Sequence, residues 1–329
     1  MKHIAIIAGG PSEEKEVSLN SARMVTDALD HHQYTYRLLI MTDHRFYHED
    51  SDSWVDLNDF SLTIEGEKET FDFALLMIHG RPAEDGKLQG YFDWMGIPYS
   101  TSGVMTSAVT FNKNFCKDFL RLYDIPMARS VCASRQRPMD TEALQDLGLP
   151  VFVKPNSNGS SVAVTKVTDW DQLDEALDKV WEVDTEALIE QYIEGVEYSA
   201  SIMGTEEAYI RFPITEILPK NEFFDYEAKY LGASEEITPA RLSAELEKKC
   251  LDLSEKLYRL LLCRGICRFD FILKDDVFYF LEANTIPGMS STSMVPQQAV
   301  AKGWSLTRLV TEMIENQFSP LCSGRKKLA

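Results

Sequence analysis

The 329-residue sequence predicts an α/β protein made of three compact lobes. The first observation is an apolar run at 3–8, which ends in two glycines and precedes a helical stripe at 14–29. The second is a buried run at 73–78 that ends in a polar loop, as in a doubly wound, Rossmann-like unit reaching to about residue 105. The third is a change to β-rich segments after residue 150, without repeats or a low-complexity linker.

The remaining elements follow from apolar periodicity. A helix is predicted at 107–123, with Lys113 and Lys117 on one face. Two strands at 151–154 and 162–167 enclose a small polar loop. The elements predicted after that loop are helices at 171–181, 241–263 and 305–316 and strands at 187–193, 196–203, 268–273 and 277–283.

Composition restricts the function. The chain carries 33 Lys and Arg against 52 Asp and Glu, a net charge of −19, and such a surface repels nucleic acid and anionic membranes. No apolar stretch approaches the roughly 20 residues of a membrane span, and no targeting segment is evident. Six cysteines at irregular spacing indicate reduced thiols and a cytoplasmic location. All six histidines lie in the first 80 residues, which excludes histidine-based metal or triad chemistry beyond them.

Two loops are typical of ligand sites. The Gly9–Glu14 loop follows the first strand and precedes a helix, where open α/β sheets bind ligands. The alternative is a tight turn that needs glycine for steric reasons. The Asn156–Ser161 loop joins two strands, and its backbone N–H groups could cover phosphates while Lys154 supplies a charge. The alternative there is a plain hairpin with a flexible tip.

The strongest constellation joins Arg268-Phe-Asp270 to Glu282-Ala-Asn284. A three-residue hairpin loop pairing Leu273 with Val277 would place these four polar side chains on one face, with apolar residues on the other. A two-residue loop would turn Asp270 away from Glu282. Two carboxylates and an amide oxygen beside an Arg suit Mg²⁺ that bridges nucleotide phosphates. A surface salt-bridge cluster is the alternative.

Two later segments are also candidates for contact with a ligand. The 285–293 loop exposes amides and hydroxyls that could hold a small carboxylate, or it forms only a turn and a helix cap. The polar stretch at 219–240 is long enough for a lid, with a surface loop as the alternative. Together these features predict transfer of a phosphoryl group from ATP to a carboxylate.

At this point the sequence resembles the D-alanine–D-alanine ligases of the ATP-grasp superfamily, from about residue 3 to residue 315. Five motifs carry the resemblance, and their order makes it specific: they begin at Gly9, His79, Lys154, Phe224 and Glu282. The resemblance implies an ATP-grasp fold with an N-terminal Rossmann-like domain at 1–105, a small central domain at 106–188 and a large C-terminal domain at 189–329. It implies ATP-dependent joining of two D-alanines through a D-alanyl phosphate, for peptidoglycan precursor synthesis.

The resemblance also implies residue roles. Glu14 would anchor the ammonium of the first D-alanine and connect through Ser160 to Tyr230 in the lid, with His79 beside the same substrate. Arg268 and the Gly288 amide would stabilise the oxyanion, and Ser293 and Met294 would hold the second D-alanine. ATP would be held through its phosphates by Lys113, Lys154 and Lys229, and through adenine and ribose by Glu190, Tyr192, Ile193 and Glu197. Two Mg²⁺ ions, with Mn²⁺ as an alternative metal, would be coordinated by Asp270, Glu282 and Asn284.

Several positions depart from the common family pattern: Pro82, Ala83, Ala163, Phe224 and Thr292. They leave open a related ligase that takes D-lactate, D-serine or another amino acid as its second substrate, although Lys229-Tyr230 argues against the D-lactate relatives. A non-catalytic nucleotide-binding protein is a third hypothesis, which the retained oxyanion and metal residues oppose. The family further suggests a homodimer formed through the N-terminal domain, with small-molecule substrates and neither nucleic-acid nor membrane partners.

Overall fold

The computed structural model describes residues 1–159, 162–205, 208–219 and 234–316. Within these ranges, no helix is both long enough and apolar enough to cross a bilayer. Three main sheets follow one another along the chain, and a two-stranded ribbon accompanies the first. The α/β class predicted from the sequence is confirmed by this arrangement.

The first sheet has the order β4-β3-β2-β1-β7. Strand β1 lies inside this sheet and pairs in parallel with both β2 and β7. Its apolar residues are fully buried, which explains the unbroken apolar run in the sequence. The first sheet and its ribbon contain β1 (Lys2–Gly9), β2 (Tyr34–Thr42), β3 (Arg45–His48), β4 (Ser53–Trp54), β5 (Leu62–Ile64), β6 (Glu67–Glu69) and β7 (Phe73–Leu76).

The second sheet is four-stranded and antiparallel, in the order β10-β9-β11-β8. The second predicted strand of its hairpin is shorter than expected, since only three of the six residues at 162–167 extend. The predicted domain boundary at 188 falls inside β11, which spans Glu186–Gln191. The strands are β8 (Ser130–Ser134), β9 (Val151–Pro155), β10 (Thr165–Val167) and β11 (Glu186–Gln191).

The third sheet has the order β15-β14-β12-β16-β17, with β13 paired to β12. Its buried aromatic face packs on a long helix and forms the core of the last lobe. The strands are β12 (Val196–Gly204), β13 (Tyr209–Arg211), β14 (Thr215–Pro219), β15 (Ser234–Ile237), β16 (Ile266–Lys274) and β17 (Val277–Asn284).

Helices cover the sheets and begin close to the predicted positions. The predicted helix at 107–123 is divided into two helices, because Asn112 adopts an extended backbone (φ −88°, ψ 99°) and caps the second of them through its side chain. The helices are α1 (Lys15–Ala28), α2 (Lys87–Met95), α3 (Val104–Phe111), α4 (Lys113–Arg121), α5 (Thr141–Leu147), α6 (Leu173–Trp181), α7 (Ala244–Leu260), α8 (Met294–Ala301) and α9 (Leu306–Glu315).

The β16–β17 hairpin corrects one sequence-based expectation. Its turn contains two residues, Asp275 and Asp276, and both are in the left-handed region (φ 49° and 60°), as type I′ hairpin turns require. The predicted three-residue loop is therefore wrong. A register shift after Asp270 nevertheless restores the pairing of Asp270 with Glu282. The polar residues thus share a face for a different reason, and the aromatic core side of β17 is formed by Phe278 and Phe280.

The last helix returns to the first sheet. In α9, Glu315 accepts hydrogen bonds from Lys2 (2.6 Å) and from the hydroxyl of Tyr34 (2.6 Å). Apolar residues of α9, such as Leu309 and Ile314, share one core with β1 and α1. The two ends of the described chain therefore pack together, and this fixes the first lobe against the last.

Candidate active site

A cavity of about 350 Å³ is lined by residues from all three predicted lobes. Most of its lining is polar or charged, which suits a charged small molecule rather than an apolar one. Nine of the predicted site residues line it: Glu14, His79, Lys113, Arg268, Glu282, Asn284, Gly288, Ser293 and Met294.

Glu14 lies at the start of α1, directly after the Gly-rich loop. Gly9 and Gly10 of this loop have positive φ values (88° and 95°), and a Cβ on Gly9 would lie 2.9 Å from the carbonyl oxygen of Met41. The loop from the second sheet contacts Glu14 as well, because a Cβ on Gly159 would lie 3.1 Å from Glu14 Oε2. The carboxylate therefore faces the cavity where two glycine-containing loops meet.

His79 connects the first lobe to the 285–289 loop. Its Nδ1 lies 2.9 Å from the carbonyl oxygen of Ile286, so this nitrogen carries the proton and donates. Ser21 Oγ lies 3.4 Å from Nε2 and also accepts a hydrogen bond from the backbone N–H of Met289 (3.0 Å). Burial lowers the pKa of His79, which keeps the imidazole neutral. A neutral ring of fixed tautomer thus borders the cavity.

Lys113 is positioned by the first turn of α4. Its backbone N–H donates to the carbonyl of Asn156 (2.9 Å), and the next N–H, from Asn114, donates to the Asn156 side chain (2.8 Å). The Lys113 ammonium then reaches the carbonyl of Asn158 and lies 3.8 Å from Glu282. Lys113 therefore contacts both the 156–161 loop, which was predicted to cover phosphates, and Glu282, which was predicted to bind a metal ion.

Lys154 does not line the cavity but forms a buried ion pair with Glu190, which also binds Lys117. Burial alone would raise the pKa of Glu190, but the two ammonium groups lower it to about 2. Burial likewise opposes protonation of Lys154, and Glu190, Glu282 and Glu197 raise its pKa in spite of that. Lys117 had no predicted role, although its position on the Lys113 face was evident from the sequence.

Arg268 and Asp270 form a buried pair on β16. The guanidinium donates to both Asp270 oxygens (2.8 to 3.2 Å), and Ser199 Oγ donates to Asp270 Oδ1 (2.7 Å). Although burial alone would lower the pKa of Arg268, Asp270 raises it, so the cation is retained beside the cavity. Asp270 itself does not line the cavity.

The oxygen donors of the hairpin fit Mg²⁺ that also binds phosphate. Asp270 lies opposite Glu282 across the strands, and Arg268 opposite Asn284. Among the described residues, no group of three or more His, Cys, Asp or Glu side chains is arranged to hold a metal alone. Mg²⁺ commonly takes one or two carboxylates and completes its octahedron with phosphate oxygens and water, so two carboxylates and an amide are sufficient.

The 288–294 segment forms a cluster of hydroxyl groups at the cavity wall. Ser293 Oγ accepts from the Ser290 N–H (3.1 Å) and lies 2.8 Å from Ser290 Oγ, which in turn lies 3.2 Å from Thr292 Oγ1. A Cβ on Gly288 would lie 2.8 Å from Ser293 Oγ, so only glycine permits this approach. Helix α8 begins at Met294, with Ser293 as its cap position. Such a cluster can bind a carboxylate.

Glu84 was not predicted, yet it lines the cavity and accepts a hydrogen bond from the Gly80 N–H (3.1 Å). Burial and the nearby Glu14 carboxylate raise its pKa to about 8, so it is mostly protonated at neutral pH. The only available signal was its position five residues after His79 in a polar loop.

The remaining predicted residues lie elsewhere. Tyr192 and Ile193 lie in the connection from β11 to β12, and Glu197 lies at the start of β12. The Tyr192 ring contacts Phe152 (5.8 Å between centroids) and the ammonium of Lys166 (4.7 Å). Three predicted residues and most of the predicted lid fall outside the described residues: Ser160, Lys229, Tyr230 and 220–233.

Comparisons with known proteins agree with these features. Family models described as D-ala D-ala ligase N-terminus and C-terminus match residues 3–102 and 123–315. A D-alanine–D-alanine ligase from Phocaeicola vulgatus is 42% identical over 320 residues, which cover 96% of this chain and 99% of the relative.

Solved structures give the same result. The Bacillus anthracis D-alanine–D-alanine ligase complexed with ATP matches with a TM-score of 0.80 and 32% identity, covering 97% of this chain and 98% of that one. The VanG D-Ala:D-Ser ligase from Enterococcus faecalis matches with a TM-score of 0.84 and 29% identity, covering 96% and 99%.

The fold and the cavity therefore define an α/β enzyme of the ATP-grasp class, which acts on small molecules. More narrowly, the chain belongs to the D-alanine–D-alanine ligase family and is a ligase. The resemblance inferred from the five motifs is confirmed.

Proposed function

We propose that the enzyme joins two D-alanines into D-alanyl-D-alanine at the expense of ATP, for peptidoglycan precursor synthesis. One observation carries the proposal: a single cavity contains a carboxylate for an ammonium group, cations for phosphates, an oxygen donor for Mg²⁺ and a hydroxyl cluster for a carboxylate. These four functions are what an ATP-dependent carboxylate–amine ligase requires.

In the proposed reaction, a carboxylate oxygen of the first D-alanine attacks the γ-phosphorus of ATP, and ADP leaves. The amine of the second D-alanine then attacks the acyl carbon of the resulting D-alanyl phosphate, loses a proton, and expels phosphate. Glu14 binds the first ammonium, while Lys113 and Lys154 balance phosphate charge. Arg268 and the Gly288 N–H face the developing oxyanion, where such donors lower the barrier most.

Asp270, Glu282 and Asn284 would hold Mg²⁺, which supplies charge neutralisation of the β- and γ-phosphates when it is bound. Adenine and ribose are assigned to four residues: Glu190, Tyr192, Ile193 and Glu197. This assignment is supported by the position of the β11–β12 connection, which directly follows the strand that carries Glu190 of the buried Lys154–Glu190 pair. Lys229 and Tyr230 of the lid and Ser160 of the 156–161 loop keep their proposed roles: Lys229 binds the γ-phosphate, and Ser160 connects Glu14 to Tyr230. The three domains are proposed at 1–105, 106–188 and 189–329.

Phosphate release from ATP tests the activity, with Mg²⁺ and D-alanine as the only amino acid and L-alanine as the control. Release that depends on D-alanine, together with a product of dipeptide mass, supports the proposal. Release only after D-serine or D-lactate is added would transfer the assignment to a ligase with another second substrate. ATP binding without release in any mixture would identify a non-catalytic relative.

D-serine is the second candidate substrate because of the hydroxyl cluster. Thr292 and Ser290 place two additional hydroxyl groups at the cavity wall, and these can accept or donate a hydrogen bond to a serine side chain. The similarity to a D-Ala:D-Ser ligase supports the same candidate. Comparison of kcat/KM for D-alanine and D-serine as second substrate decides between them.

We also propose a homodimer and a cytoplasmic location. Trp94 on α2 of the first lobe is 87% exposed, and an exposed indole is typical of an interface. Light scattering is expected to give twice the chain mass of 37.4 kDa, and Trp94→Glu to give that of the monomer. The cysteines at 116, 132, 250, 263 and 267 are free thiols, which supports a reducing compartment.

A further inference from the structure

Lys117 is a buried cation for which the reaction described above has no use. It lies one helical turn after Lys113 on the same face of α4, but its side chain is only 1% exposed and does not line the cavity. Its ammonium binds Oε1 of Glu190, while Lys154 binds Oε2 of the same carboxylate. One buried anion is thus shared by two cations.

The two lysines differ in their access to the site. The Lys154 side chain is 14% exposed, and its positive charge is stabilised by Glu282, a carboxylate that lines the cavity, and by Glu197. Apart from burial, the largest electrostatic influences on Lys117 come from Glu190 and from two other cations, Lys154 and Arg121. Lys154 is therefore the cation that can leave the carboxylate, and Lys117 is the one that remains.

A buried carboxylate is strongly destabilised when its only cation departs. If Glu190 were paired with Lys154 alone, movement of Lys154 to a phosphate would leave an isolated negative charge. The second cation removes this obstacle, because Glu190 stays paired throughout.

We propose that Lys117 is a positioning residue: it is the permanent counterion of Glu190 and thereby releases Lys154 to bind the phosphates of ATP. The inference rests on the proposed function in assigning Lys154 to phosphate. Without Lys117, Lys154 stays on Glu190, and the nucleotide loses a charged contact.

The test is calorimetric titration of the full chain with ATP·Mg²⁺ in the absence of D-alanine. Lys117→Met is expected to bind ATP about 10- to 100-fold more weakly, as loss of one charged hydrogen bond predicts. Lys117→Arg, which keeps a cation beside Glu190, is expected to bind ATP to within about fivefold of the original, because the carboxylate retains its permanent counterion. Leu120→Met, a buried volume-conserving change on the same helix, controls for altered packing.

Unchanged ATP affinity in Lys117→Met overturns the proposal, and so does a Lys117→Arg variant that binds ATP no better than Lys117→Met, since that indicates a packing role. If circular dichroism shows that Lys117→Met does not fold, Lys117→Gln takes its place, because the neutral amide still donates a hydrogen bond to Glu190 but supplies no charge. These titrations are independent of D-alanine turnover. Failure of the original enzyme to release phosphate with D-alanine would therefore count against the proposed function alone.

Discussion

Asp270 and Glu282 lie directly opposite each other on β16 and β17, held in that register by a bulge that leaves Leu281 without a partner of its own. The bulge offsets the two-residue turn and brings both carboxylates to the polar side of the sheet. Two positions along the same ladder, Arg268 is paired with Asn284. The hairpin thereby presents two acids, one amide and one cation in a compact group.

Neutralising either acid is expected to remove turnover. Asp270→Asn and Glu282→Gln keep the shape but lose the charge that Mg²⁺ requires, so kcat should fall by about 100-fold or more. A coupled assay of ADP formation at saturating Mg²⁺ measures the effect. Asp275→Asn, on the exposed turn of the same hairpin, should leave kcat unchanged. Full activity in both site variants would exclude the proposed metal ligands.

A methyl group at Gly288 is expected to disturb the second-substrate site. Its Cβ would lie 2.8 Å from Ser293 Oγ, so the hydroxyl must move away from its partners on Ser290. We expect Gly288→Ala to raise KM for the second D-alanine by about tenfold, the cost of one hydrogen bond, without weakening ATP binding. Gly90→Ala is the matched control, because its Cβ would meet only a Val104 methyl at 3.8 Å. A KM unchanged by Gly288→Ala contradicts the assignment.

Removal of the Ser21 hydroxyl is expected to destabilise the contact between the first lobe and the 285–289 loop. Ser21→Ala leaves the buried N–H of Met289 without its acceptor, which should lower the free energy of unfolding by about 1–3 kcal/mol. Urea denaturation followed by fluorescence measures the change. Ser291→Ala, an exposed serine of the neighbouring segment, should stay within about 0.5 kcal/mol of the original.

Glu84 predicts a pH dependence of stability. Its pKa is about 8 in the folded protein, above the usual 4.5, so its favourable contribution is complete below pH 4.5 and is lost as the pH rises through 8. Glu84→Gln should therefore raise Tm at pH 8.5 and leave it nearly unchanged at pH 5. Because the Glu84 carboxyl faces an open cavity, Glu84→Gln is expected to raise the free energy of unfolding at pH 8.5 by about 1–3 kcal/mol, which is less than the full pKa shift implies. Equal Tm changes at both pH values would contradict the raised pKa.

The sequence was sufficient for the class and for placing the polar residues of the hairpin on one face, whereas β2 and the helices α2, α5 and α8 were not predicted. Apolar runs specify buried strands, and five ordered motifs specify the family. It was not sufficient for the turn length, because simple alternation from Leu273 to Val277 ignores the bulge at Leu281. The break at Asn112 was missed for a related reason: apolar periodicity continues across it, while the cap is a local side-chain hydrogen bond.

Contacts between segments that are distant along the chain also could not be predicted from the sequence. Lys117 and Glu190 are 73 residues apart, and neither neighbourhood contains a pattern that pairs them. The raised pKa of Glu84 depends on burial and on Glu14, which lies 70 residues earlier. Both effects arise only when segments that are distant in the sequence fold against each other, since a charge is perturbed by its surroundings and not by its neighbours in sequence.

A Cβ on Gly159 would lie 3.1 Å from Glu14 Oε2. The 156–161 loop, which is proposed to cover phosphates, therefore lies next to the proposed anchor of the substrate ammonium. Any coupling between ligands bound at these two neighbouring sites must be reciprocal. If D-alanine increases the affinity for ATP by some factor, ATP must increase the affinity for D-alanine by the same factor. The order in which the two ligands arrive therefore changes the route but not the final balance.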